Sequence, residues 1–284
     1  MEREIDSELV NFLVGLVKEK KELRNVDYGI VKEKILKILN SNNKILQNLS
    51  ANKKNKKNRY VKEFVKEIRA ELREIYGVFI LKNYSKKENL LEKIGKDPKI
   101  ENYNKILRLH KSSKERLPYY AAVYKMIFTI TGRPKNIVDL ACGLNPVSYP
   151  YLGFNPEYFA SDLNQKDCDF INKFFEKLSI PGKAVPIDLT KPEEWSKIPE
   201  CDVCFLLKTL DSLETVKKNV SRELINAINC KFLVVSFPKE SLGGKKSIDS
   251  SKRNWFYKIL QQKKFKYEEF EVSNELFIVV SIYK

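Results

Sequence analysis

The chain has 284 residues, of which 43% are hydrophobic and 32% charged, enough for one or two domains around a sizeable core. No uncharged apolar run approaches the roughly 20 residues a membrane span needs. The opening MEREIDSELV is acidic and helical rather than a signal peptide, so a cytoplasmic location is expected. The 53 Lys and Arg against 37 Asp and Glu leave a net charge of +16, which favours a polyanionic partner over a merely lysine-rich, solvated exterior.

From Glu4 to about His110 the pattern is helical. Leu9, Phe12, Leu13, Leu16 and Val17 recur at helical spacing, followed by Ile35, Ile38 and Leu39. Val61, Phe64, Val65, Ile68 and Leu72 predict a longer helix running towards Tyr84. Residues 1–110 carry 26 Lys and Arg against 16 Asp and Glu, and the remainder 27 against 21. Two domains are therefore expected, a basic all-helical one over 1–110 and a second over 111–284. The acid-free run from Lys53 to Arg59 lies between two apolar-periodic segments, on a loop or helix start. Lys53, Lys54, Lys56, Lys57 and Arg59 form either a patch that contacts RNA phosphates without sequence preference or a solvated loop. The charge of the whole chain favours the RNA-binding reading.

After a helix predicted from Ser113 to about Ile130, apolar β-rich runs alternate with helical segments. The strands are predicted at Asn136–Leu140, Tyr158–Leu163, Lys183–Leu189, Asp202–Leu207, Lys231–Phe237, Phe265–Val272 and Leu276–Ile282. Helical patterns at Gln165–Leu178, Leu213–Ile228 and Lys252–Gln262 separate them. This alternation reads as an α/β fold with a parallel sheet. Seven strands with a closely spaced last pair match a Rossmann-like methyltransferase sheet whose last strand is inserted antiparallel.

Ligands of open parallel sheets sit outside the carboxyl ends of the strands. The first strand runs into Asp139-Leu140-Ala141-Cys142-Gly143, whose single Gly is not the three-Gly dinucleotide fingerprint but suits a methyltransferase first loop. The second strand ends at Asp162, which can accept from both hydroxyls of a ribose. The third ends at Asp188, which can accept from an adenine amino group. Either Asp could instead cap the following helix.

Several longer motifs occur in order: His110 to Leu117, Gly143-Leu144-Asn145-Pro146, Ala160-Ser161-Asp162, Leu206-Leu207-Lys208-Thr209-Leu210, Val235-Ser236-Phe237-Pro238 with Ser241-Leu242-Gly243-Gly244, and Asn274-Glu275-Leu276. Together they resemble the aminoglycoside-resistance 16S rRNA guanine-N7 methyltransferases, the Arm/FmrO family, from about Leu107 to the C-terminus. The resemblance implies S-adenosylmethionine as donor and the small ribosomal subunit, with its 16S-type rRNA, as partner. It implies that Arg116 pairs with the donor's carboxylate, that Asp139, Ala141 and Gly143 line its backbone, and that Asp162 binds its ribose. Asp188 and Leu189 would hold the adenine, with Leu207 beside them. Lys208 and Thr209 would flank the transferred methyl, and Ser236, Pro238 and Lys239, in the segment to Gly244, would approach the target. The sequence departs from the family at Lys114, which stands where Arg is frequent, and at Asp211, which adds negative charge near RNA.

Guanine N7 offers an in-plane lone pair, so no indispensable general base is expected. Adenine amino methylation and cytosine C5 methylation leave signatures absent here: Leu207-Lys208-Thr209-Leu210 is no Asn/Asp-Pro-Pro run, Cys204 lies inside the fourth strand, and the fifth ends in Ser236-Phe237-Pro238. Ribose 2′-O methylation would need a set such as Lys208, Asp211, Lys239 and Glu275, and a non-catalytic RNA-binding factor on the same fold is the other alternative. The five Cys have no framework spacing and are expected as reduced thiols. Cys201 and Cys204, at an odd offset in a strand, are predicted to face opposite sides. With one His, no metal site is expected, and His110 is read as a packing or hinge residue.

Overall fold

In the N-terminal region short polar side chains take the free backbone N–H groups at helix starts. Asp6 accepts from Glu8 N–H at 2.8 Å ahead of α1 (Ser7–Lys18). After α2 (Tyr28–Ser41), Asn42 accepts from Ile45 N–H at 3.1 Å to begin α3 (Asn43–Ala51). Asn58, inside the basic run, accepts from Tyr60 N–H at 2.8 Å and opens α4 (Arg59–Leu72). The computed structural model describes residues 5–24, 26, 28–73, 79–96, 98–240 and 250–282. The apolar stripes of these four helices, including Leu9, Leu13, Val17, Ile35, Leu39, Val61, Phe64 and Ile68, bury against one another as a single core. The α-helix of α4 is Arg59–Leu72 and Tyr84 begins a short 3₁₀ turn; the predicted extension between them falls in part on 74–78, outside the described residues.

The chain divides into two compact units, residues 1–81 and 82–284. The boundary expected at residue 110 is therefore displaced. Helices α5 (Lys87–Lys96) and α6 (Ile100–Leu107) belong to the second unit with α7 (Lys111–Arg116) and α8 (Tyr120–Thr131). With this division the first unit holds 18 Lys and Arg against 12 Asp and Glu and the second 35 against 25, so most of the surplus positive charge lies on the second. The helix predicted from Ser113 is two, because Pro118 falls in a 3₁₀ turn, Leu117–Tyr119, where its missing N–H is tolerated.

The second unit is built on a seven-stranded sheet: β1 (Asn136–Leu140), β2 (Glu157–Asp162), β3 (Gly182–Pro186), β4 (Cys201–Leu207), β5 (Cys230–Pro238), β6 (Lys266–Val272) and β7 (Glu275–Ser281). Their order is β3-β2-β1-β4-β5-β7-β6, parallel except for β7, which lies antiparallel between β5 and β6. Strands covered on both faces read as unbroken apolar runs, and β4 is buried at six of seven positions. Helices α9 (Gln165–Lys177), α10 (Leu210–Val216), α11 (Val220–Ala227) and α12 (Asn254–Lys263) complete the unit. The single helix predicted at Leu213–Ile228 is interrupted at Asn219, which is left-handed (φ 66°); the Glu214 carboxylate takes the N–H groups of Asn219 and Ser221. The segment before α6 is tied to α9 by buried polar groups, Tyr84 Oη donating to Asp167 Oδ1 at 2.9 Å and Lys87 forming an ion pair with the same carboxylate, and α6 itself by Tyr103, which meets Phe174 edge-on.

Candidate functional site

Strand order reverses between β1 and β4, and the crevice outside their carboxyl ends is where such sheets bind ligands. Both exits carry backbone strain in residues other than Gly. Ala141 follows β1 at φ 52° and Lys208 follows β4 at φ 56°. Each such residue costs on the order of 1–3 kcal/mol and persists where the surroundings enforce it, commonly at functional sites. Gly143 (φ 53°) is required twice over, because a Cβ there would also lie 2.7 Å from the His110 ring. His110 thus packs on this loop, and burial lowers it to about 4, so it is neutral at physiological pH.

The first loop and β2 are joined through Asp162. Its Oδ2 accepts from Gly143 N–H at 2.9 Å and its Oδ1 from Asn164 N–H at 3.3 Å. Burial, with Asp167 nearby, raises Asp162 to about 6. The Leu163 N–H is a third backbone partner, and since an ionised carboxylate has about four acceptor positions, one remains for a hydroxyl of a ribose. The strained exit, the close-packed Gly and this partly satisfied acid suit an adenosyl group. Asp139 has a different placement. It is 1% exposed, accepts from Asn145 Nδ2 at 2.8 Å and Tyr158 Oη at 2.7 Å, and is raised by burial to about 6. It braces the first loop from below.

β3 ends at Pro186, short of the predicted Leu189. Asp188 then turns its Oδ1 onto Thr190, accepting from N–H at 2.9 Å and from Oγ at 2.7 Å. Asp188 thus closes a turn rather than capping the following helix, whose first residue has no side-chain cap, and its Oδ2 lies 3.7 Å from Lys191 Nζ. Leu189 and Leu207 are buried.

Beyond β4 and β5 lies a buried charge network that sequence reasoning did not assemble. Arg116 grips Glu275 through two bonds, Nη2 to Oε1 at 2.6 Å and Nε to Oε2 at 3.3 Å, and Nη1 donates to Asn145 Oδ1 at 3.1 Å. Ser236 Oγ donates to Glu275, and Lys208 Nζ lies 3.4 Å from Glu275 and 2.8 Å from Glu115. Burial opposes the charge on Glu275, but Arg116 and Lys208 outweigh it and hold its pKa below the ordinary value. Arg116 has five N–H donors; three are engaged in these bonds and the Tyr120 hydroxyl is a further partner, so one remains for a ligand carboxylate. Glu275 is placed by strand register: it opens β7 opposite Pro238 at the end of β5. A cavity of about 360 Å³ opens over the network, lined by Glu115, Arg116, Tyr119, Lys208, Glu240 and Glu275 among others.

Other predicted positions fall elsewhere. Thr209 and Ser236 are buried, their hydroxyls donating to Leu207 O and to Glu275, so they support the site from within. The Pro238 carbonyl accepts from Arg253, and Lys239 is exposed and paired with Glu271 at 2.5 Å. Of the four residues a ribose methylation set would use, Lys208 and Glu275 meet, whereas the Lys239 ammonium is turned to Glu271. The stretch 241–249 lies outside the described residues. In the first unit the basic run joins α3 to α4. Lys53 pairs with Asp6 and Glu8, Lys54 with Glu8, Lys56 with Glu19 and Arg59 with Glu63; these cations and that of Lys57 are exposed. Cys201 and Cys204 do not part to opposite faces as predicted: both are buried in the same core cluster as Cys230, with which Cys201 is in register. Among the described residues no group of His, Cys, Asp and Glu is arranged to hold a metal, and no helix is long and apolar enough to cross a membrane.

The inserted antiparallel β7, the strained exits of β1 and β4, and the acid closing β2 define the fold and site of an S-adenosylmethionine-dependent methyltransferase. Residues 47–280 match the ribosomal RNA methyltransferase (FmrO) family, and the chain belongs to that family. The match begins well upstream of Leu107, inside the first unit. The 16S rRNA (guanine(1405)-N(7))-methyltransferase of Micromonospora rosea is 31% identical over 231 residues, covering 78% of this chain and 83% of its own length. That of Frankia casuarinae is 30% identical over 230 residues, covering 77% and 80%. The crystal structure of the 16S rRNA methyltransferase RmtF, solved with S-adenosyl-L-homocysteine, superposes with a TM-score of 0.76 at 26% identity, covering 97% of this chain and 98% of RmtF.

Proposed function

We infer that the chain transfers the methyl group of S-adenosylmethionine to N7 of a guanine in 16S rRNA, with the small ribosomal subunit as its substrate. The family match carries the reading, because it spans every site residue from Arg116 to Glu275. The relatives' names point to the nucleotide equivalent to guanine 1405 as the target.

The donor supplies a methyl on a sulfonium, already electrophilic. Asp162 holds the ribose, the remaining N–H of Arg116 meets the carboxylate, and the first loop at Ala141 and Gly143 lies along the donor's chain. The N7 lone pair needs no deprotonation, so the protein's task is to position the reactants, an effect worth at most about 7–11 kcal/mol. Docking falls to exposed cations, Lys53, Lys54, Lys56, Lys57 and Arg59 among them, which meet phosphates without reading sequence.

Methylation at N7 fixes a positive charge on the base and removes a major-groove acceptor. Small subunits treated with protein and labelled donor are therefore expected to yield RNA that reduction and aniline cleave at one position. An alkali-resistant dinucleotide without aniline cleavage would replace this reading with ribose methylation. Expression in a bacterium whose ribosome is recognised is expected to raise resistance to aminoglycosides that use that base edge.

A further inference from the structure

Glu115 and Glu240 are charged residues of the cavity that the donor site leaves unused, and Glu115 is the one paired with Lys208. Its side chain is 42% exposed, whereas that of its partner Lys208 is 8% exposed. The pair stands 2.8 Å apart at the cavity wall, and Glu275 lies on the other side of the Lys208 ammonium at 3.4 Å. An ammonium has three donors; two are directed to carboxylates, and one is left to point away from them. Glu115 retains acceptor positions. The cavity is therefore offered one donor and one acceptor side by side, fixed to the strained exit of β4. Tyr119 lines the same cavity, 38% exposed on the 3₁₀ turn that follows Arg116.

Guanine carries the complementary pair on its Watson–Crick edge, with the N1–H donor beside the O6 acceptor. Adenine presents the reverse, an N1 acceptor beside an amino donor. O6 also adjoins N7, so a base that offers O6 to Lys208 holds N7 close to that side chain, which follows β4 directly. Enzymes that act on a base commonly extrude it, read its edge by hydrogen bonds and stack it on an aromatic ring.

Resting on the guanine-N7 reading above, we propose that Glu115 and Lys208 together select guanine, Glu115 accepting from N1–H and Lys208 donating to O6, with the base against the Tyr119 ring. Glu115 is then a specificity-determining residue. A site built to hydrogen-bond its substrate rejects the mismatched analogue strongly, because its polar groups are left unpaired.

The test compares the full chain with Glu115→Ala on two substrates: purified small subunits, and subunits with adenine at the methylated position. Donor affinity is measured by calorimetry and methyl transfer by single-turnover incorporation of label. The expected result is a guanine rate lowered by about tenfold or more, an adenine rate that does not fall, and donor affinity within about twofold of wild type. Equal losses on both bases, an unchanged guanine rate, or a loss traced to weaker donor binding through Arg116 and Glu275 would each overturn the proposal. Absence of N7 methylation by the wild-type chain would overturn the function reading with it, and is recognised before any variant is measured.

Discussion

The two units use the same charged residue types in opposite ways. In residues 1–81 the basic run is paired with acids at the surface, Lys53 with Asp6 and Glu8, Lys56 with Glu19 and Arg59 with Glu63. Exposed pairs of this kind are worth about 0–1 kcal/mol, so a phosphate can displace the carboxylate at little cost. In residues 82–284 other pairs, such as Lys239 with Glu271, stay at the surface, but those that build the site and its support are sunk. The side chains of Arg116 and Glu275 are 3% and 6% exposed, and those of Lys87 and Asp167 8% and 3%. Such ions do not exchange partners; they fix geometry. The difference separates a surface suited to binding any phosphate backbone from a site that holds reactants in one arrangement.

The largest effect is expected where a buried pair is broken. Glu275→Ala leaves Arg116 and Lys208 without their shared anion. Loss of one partner of a buried pair costs about 3–5 kcal/mol, read by urea denaturation, and methyl transfer is expected to fall with it. A loss below about 1 kcal/mol, typical of an exposed pair, would erase the contrast between the units. Next in size is Asp162→Ala. Removing a charged acceptor is expected to weaken donor binding by about 1.5–3 kcal/mol, measured by calorimetry, with the sheet intact by circular dichroism.

Proton linkage gives smaller effects of opposite sign. Asp162, raised by burial to about 6, accepts a ribose hydroxyl best when ionised. Donor affinity is expected to be flat above that pH and to fall by up to about tenfold per unit below it. Asp139 acts on stability. Its folded value of about 6 lies above its ordinary 3.8, so the folded chain binds the proton more tightly. That contribution is full below pH 3.8 and is lost as pH rises through about 6. Asp139→Asn is expected to flatten the stability profile across that window.

The smallest change in stability is expected from replacing Lys53, Lys54, Lys56 and Lys57 with Gln. Unfolding should shift by no more than about 0.5 kcal/mol. The slope of log subunit affinity against log salt should become shallower by about 0.7 for each phosphate that the run no longer neutralises. A large drop in stability with an unchanged salt slope would make the run a structural loop.

Six of the seven strands were legible to within a residue at each end, whereas β3 stops at Pro186, three residues before the expected Leu189. β1 starts and stops where expected because a strand buried on both faces is an apolar run bounded by Pro134 before it and the first loop after it. Asp162 was legible as a carboxylate at a strand end. The boundary between units was not: α5 and α6 repeat the helical period of α1–α4, and only distant interactions, such as those of Tyr84 and Lys87 with Asp167, assign them to the sheet unit. The break at Pro118 was hidden because apolar periodicity continues through it. The Arg116–Glu275 pair, 159 positions apart, follows from the antiparallel register of β5 with β7, which no local pattern records.

All five cysteines are free and buried, and all lie between Cys142 and Cys230. Residues 1–81 contain none. An alkylating reagent therefore labels the chain only when the sheet unit opens and ignores the helical unit, whereas far-ultraviolet circular dichroism sees both. Followed side by side during heating, the two signals coincide if the units melt as one and part if the helices melt alone, with no label to engineer.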